Sequence, residues 1–121
     1  MNSLLWIAQG VMALAFLTHG LLFLFPPPAL RKLKKQMPFP AAFSDFIFVA
    51  ESLGAMGLIL PGLTGILPWL TPLAAAGLAP IAGGAAVFHL TRRELPPLVT
   101  TFMLFALAVF VAYARWSVLP L

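Results

Sequence analysis

The chain contains no cysteine. That excludes a disulfide framework, a thiolate metal site and any thiol-disulfide relay carried by the chain itself, so a redox group would have to come from another molecule. Charge is almost as scarce. Of 121 residues, 8% are charged and three are acidic, whereas 62% are hydrophobic and the mean hydropathy is +1.04. A water-soluble domain of this size cannot cover itself with so little polar surface. Sustained period-two alternation is also missing, which argues against a barrel. No phosphate-cradling glycine loop, Ser-His-Asp set or nucleophile elbow is present, and GLTG reads as a turn. The isolated chain therefore leans away from being an enzyme.

What is present is a set of four long apolar segments, at about 4–25, 43–60, 71–90 and 98–115. Each is about 18 to 22 residues, or roughly 27 to 33 Å as a helix, enough to cross a hydrocarbon core. The expected fold is an all-α, integral membrane four-helix bundle forming a single domain over residues 1–121, with the lipid bilayer as its immediate partner. Pro26, Pro27 and Pro28 end the first segment. Ser44 or Asp45 is the expected N-cap of the second, which stops before Pro61 and Gly62. Pro80 leaves the carbonyl of Ala76 without its helical donor and predicts a kink in the third. Pro96 and Pro97 fall in the loop before the fourth. The first run lacks a preceding basic residue and a following small-residue cleavage site, so it reads as a retained span, not a signal peptide.

The net charge of +4 does not point to nucleic acid. Arg31, Lys32, Lys34 and Lys35 directly follow an apolar run, where basic residues mark a membrane surface. With Arg92 and Arg93 in the third connection and no basic residue in the second, the first and third connections are expected on the cytoplasmic side and both chain ends outside. Trp6, Trp69 and Trp116 then share the opposite interface, where indole rings favour the headgroup level.

Few polar side chains lie inside the spans. At the helical rise, His19 sits roughly 9 Å and Glu51 roughly 12 Å from the same boundary. His89 closes the third segment, and Thr100 and Thr101 open the fourth. Connectivity alone gathers these five in one half of the bundle, as candidates for a ligand site or a polar core. Small neighbours at helical spacing, such as Ala15 beside His19, Gly54 and Ala55 beside Glu51, and Ala85 and Ala86 beside His89, predict that all three ionisable side chains point inward. Gly57, Gly77, Gly83 and Gly84 extend that close-packing surface. A mid-helix carboxylate costs about 2.5 to 3.5 kcal/mol, so Glu51 is expected to pair with a histidine, either as a structural link or as part of a ligand, quinone or proton site. The two histidines and the acid lack the short helical spacing of a metal site.

The stretch ESLGAMGLILPGLTGILPWLTPLAAAGL, starting at Glu51, resembles the DoxX-like family of small four-helix bacterial membrane proteins. FLTHGLLFLFPPP, AAVFHLTRRE and LALAVFVAYARW extend the likeness over nearly the whole chain. Glu51 and His89 match the family pattern, and Phe23 stands near the position where many members carry a lysine. The resemblance implies a bundle in the bacterial inner membrane. Relatives include the membrane subunit linked to thiosulfate:quinone oxidoreduction, members of membrane oxidoreductase complexes, and eukaryotic chaperones or cargo receptors. The first expectation is therefore an accessory or interaction subunit of a membrane redox or stress-related system, with a membrane or cytoplasmic redox protein as partner and room for a homo-oligomer. The second is a quinone-binding oxidoreductase subunit using the His19, Glu51 and His89 region, with quinone as its cofactor. A small proton or solute pathway through the same residues ranks third.

Overall fold

The computed structural model describes residues 2–120, so the first and last residues of the single domain expected over 1–121 lie outside the described residues. Four helices are long and apolar enough to cross a membrane: α1 (Asn2–Leu24), α3 (Ala41–Thr64), α4 (Leu70–Thr91) and α5 (Leu95–Tyr113), the last continued by a π-helical turn over Ala114–Val118. A short helix, α2 (Pro28–Lys35), links the first two. Each spanning helix packs on its neighbour in sequence, and α5 closes back on α1. The start of α1 and the end of α5 thereby come to one end of an antiparallel bundle, where Asn2 meets Arg115.

The distribution of side chains explains why this bundle suits lipid. Large apolar residues such as Leu14, Phe46, Leu53, Leu63 and Phe102 are exposed. The interior is built around Leu5, Met12, Leu58, Leu78 and Val111, with Ala55, Ala75, Ala82 and Ala108 where helices approach. In hydrocarbon there is no gain from hiding leucine, so association relies on close backbone approach and interior polar contacts. A Cβ at Gly54 would lie 2.8 Å from Leu78, one at Gly57 2.9 Å from Ala74, and one at Gly83 3.2 Å from Phe105. These three glycines belong to the packing surface expected from the sequence. Gly77 and Gly84 do not, because a Cβ on either would meet nothing within 4 Å.

Prolines moved several helix boundaries. The second spanning helix does not stop at Leu60 but runs through Pro61 to Thr64, ending where Gly65 takes a left-handed φ of 71° and donates its N–H to Pro61 O at 2.9 Å. Pro61 has no N–H for the carbonyl of Gly57, yet the Thr71 hydroxyl of α4 donates to that oxygen at 3.0 Å. A neighbouring helix thus satisfies the group that proline orphans, which is how a membrane helix tolerates it. α4 likewise continues through Pro80. At the start of α5, prolines lie inside the helix and not in the preceding loop. First-turn N–H groups have no helical acceptor, so proline there forfeits nothing. The same reasoning places Pro28 at the start of α2, an element the basic run concealed. Ser44 and Asp45 are not caps: α3 begins at Ala41, the Ser44 hydroxyl is buried without a partner among the described residues, and Asp45 pairs with Lys34 at 2.8 Å.

Candidate functional site

α1 and α3 approach closely at Gly20. A Cβ there would sit 2.6 Å from Ser52 Oγ and 2.8 Å from the backbone oxygen of Phe48, so only a hydrogen at this position lets the helices touch. Ser52 keeps its own hydroxyl occupied by donating to Phe48 O at 2.9 Å. With the backbones this near, His19 reaches across, and its Nδ1 shares a 2.9 Å hydrogen bond with Glu51 Oε2.

The two partners differ sharply in environment. Glu51 is 5% exposed, whereas the His19 side chain is 50% exposed on the outside of the bundle. The carboxyl faces inward as expected; the imidazole does not, because it comes in from the rim of the α1–α3 seam. Aromatic rings frame it, with Phe23 at 4.7 Å and Phe48 at 5.9 Å between centroids, and those two rings stack at 5.4 Å. With Glu51 ionised and the imidazole neutral, Nδ1–H donates and Nε2 becomes an outward acceptor. With Glu51 protonated, its O–H donates and the other tautomer presents Nε2–H outward. Which ring nitrogen carries a hydrogen therefore decides whether the exposed Nε2 accepts or donates.

The remaining candidates are placed elsewhere. His89 bonds through Nδ1 to Glu94 Oε1 at 3.0 Å in the turn after α4, with Arg92 Nε 4.0 Å from the same carboxyl oxygen. Its partner is thus a loop acid, which a reading confined to membrane-depth residues set aside. Thr100 and Thr101 donate to the carbonyls of Pro96 and Pro97, at 3.2 and 2.8 Å, closing the first turn of α5. The structure joins His19 to Glu51 and gives His89, Thr100 and Thr101 local partners. Among the described residues, no three His, Asp or Glu side chains gather as a metal would require.

At this end of the bundle Lys34 of α2 reaches over to α3. Lys34, the partner of Asp45, also stands 5.9 Å from the Phe48 ring centroid. A cleft of about 390 Å³ opens beside it, lined in part by Arg31, Lys34, Lys35, Phe39 and Ser44. An amphipathic, lysine-rich helix of this kind suits the headgroup layer.

A second polar centre at the opposite end escaped the sequence reading. Gln9 is fully buried and donates to Leu58 O at 2.6 Å, while its Oε1 accepts from Arg115 Nε at 2.7 Å. Arg115 Nη1 also donates to Asn2 Oδ1 at 2.7 Å and Leu119 O at 3.0 Å. The available signal was positional: Gln9 lies four residues after Leu5 and three before Met12, on the same buried stripe. Arg115 stood beside Trp116 and read as the end of a span.

Lipid-facing leucines, an interior of small residues and a carboxyl closed off by a cross-helix histidine define an integral membrane protein of the four-helix type. A family model, that of the DoxX-like family, matches residues 7–111, and the chain belongs to that family. No curated protein and no solved structure matches it.

Proposed function

We propose that the chain is an accessory subunit of a membrane redox or stress-related system, seated in the bacterial inner membrane with both termini outside, and that it meets its partner through the α1–α3 seam. The observation that carries this reading is the His19–Glu51 pair: the acid is buried, yet the imidazole it orients is half-exposed on the outside of the bundle. A polar nitrogen facing hydrocarbon is costly and is relieved by a partner group that bonds it. A photocrosslinking residue at Leu22, exposed on the same rim, is expected to capture one protein, and His19→Ala to reduce that capture. Equal labelling from Val87 on α4, or labelling of lipid alone, overturns the reading. Capture of a second copy of the chain makes the seam a homo-oligomer contact instead.

A second reading has its own support. Phe23 and Phe48 beside the imidazole form an aromatic wall against which a flat quinone ring could stack, with Nε2 facing its oxygen. Quinone added to nanodisc-embedded protein would then raise its Tm, and Glu51→Gln, which removes the carboxyl that orients the imidazole, would lessen the shift. An unchanged Tm across a saturating series rejects quinone binding at this pair.

A further inference from the structure

The terminal end of the bundle holds a cation that the His19–Glu51 reading does not use. Arg115 is 2% exposed, and every hydrogen-bond acceptor it has is neutral: the Gln9 amide, the Asn2 amide and the Leu119 carbonyl. Its Nη2 is buried and has no partner among the described residues. The three acidic side chains are committed elsewhere, Asp45 to Lys34, Glu51 to His19 and Glu94 to His89. A buried guanidinium surrounded by neutral acceptors keeps its full charge, and such a charge is costly without an anion.

Arg115 also forms part of the wall of a cleft of about 270 Å³, together with Pro68, Trp69, Pro72, Trp116 and Pro120. Trp6 lies on another side, its ring centroid 5.7 Å from the guanidinium carbon. The three tryptophans thus gather around one arginine, at the level where indoles meet lipid headgroups. Prolines and indoles give the cleft apolar sides, and Arg115 is the one cationic residue in its wall, with Nη2 as the guanidinium nitrogen whose N–H donors are not already taken.

We propose that this cleft binds one oxyanion, a phosphate or carboxylate, anchored by Arg115 and flanked by Trp69 and Trp116. The oxyanion is either the headgroup of an anionic lipid or a free anion from the aqueous side. Gln9 and Asn2 are positioning residues: they occupy Nε and Nη1, which fixes the plane of the guanidinium and leaves Nη2 for the ligand.

All three tryptophans lie at this end, so intrinsic fluorescence reports on the cleft without labels. The full chain is placed in phosphatidylcholine nanodiscs and supplied with a small fraction of phosphatidylglycerol brominated on its acyl chains, or of brominated phosphatidylcholine. Saturable quenching that favours phosphatidylglycerol identifies a lipid headgroup. A saturable emission change on titrating inorganic phosphate into discs of phosphatidylcholine alone identifies a free anion. Arg115→Gln is expected to weaken the binding at least about tenfold, the loss of one charge-assisted hydrogen bond, while the double variant Lys32→Gln/Lys35→Gln at the other end leaves it unchanged. Should Arg115→Gln fail to fold, the unaltered protein still decides: equal quenching by both brominated lipids together with no response to phosphate overturns the proposal. A preference that vanishes in Lys32→Gln/Lys35→Gln overturns it as well.

Discussion

Pro61 and Thr71 form a compensating pair whose energetics can be isolated. Thr71 is fully buried, and its hydroxyl supplies the Gly57 carbonyl with the donor that Pro61 withholds. Thr71→Val keeps the shape and removes the donor, leaving the Gly57 oxygen inside the bundle without its bond. An unsatisfied buried acceptor costs about 1–3 kcal/mol, and hydrogen bonds between membrane helices average nearer 0.6 kcal/mol because the separated helices also find partners. A destabilisation of about 1–2 kcal/mol is expected. In a Pro61→Ala background the alanine N–H donates to Gly57 in the ordinary helical way, so the same Thr71→Val change should cost less, by about 1 kcal/mol. Reversible unfolding of the four proteins in mixed micelles gives this coupling directly, with the intrinsic effects of each substitution cancelled by the cycle. If Thr71→Val costs the same with and without Pro61, the hydroxyl is not replacing the missing N–H and the account of the unbroken α3 is wrong.

Gly20→Ala is expected to force α1 and α3 apart, because its new carbon would meet Ser52 Oγ at 2.6 Å and a rigid backbone oxygen at 2.8 Å; the cost should be about 1–3 kcal/mol. The His19 ring-nitrogen NMR signals should move with it, and an unchanged spectrum with unchanged stability would refute the seam geometry. His19→Ala should destabilise by about 1–3 kcal/mol, since it strips the hydrogen bond from a buried carboxyl. His89→Ala breaks a contact in an exposed turn, where such pairs are worth less than about 1 kcal/mol. The opposite ranking in thermal unfolding would count against the assignment of Glu51 to His19.

How far the site could be read from sequence differs residue by residue. Depth along a helix is a count of residues times a fixed rise, so the shared level of His19 and Glu51 is legible in the sequence. Azimuth was not. His19 sits on the rim because of where α1 crosses α3, and that crossing depends on the missing Cβ of Gly20, a residue whose neighbours in sequence, His19 and Leu21, are exposed. His89 shares the depth of this end, yet Glu94 is five residues away along its own chain, and that local partner took precedence. Gln9 and Arg115 join residues 106 apart, a link no local pattern announces.

By itself, the sequence determined that the chain is a helical membrane protein with four spans and an acid at the level of a histidine. Hydropathy, span length and helical rise are local properties summed along the chain, and the bilayer converts them into architecture without reference to particular contacts. Tertiary structure alone decided that Thr71 repairs the break at Pro61, that Glu51 turns inward while His19 looks out, and that Arg115 is enclosed by Gln9, Asn2 and indole rings. Each of these depends on how two helices rotate and cross, which atoms from distant segments fix jointly through close packing and which a one-dimensional pattern does not contain.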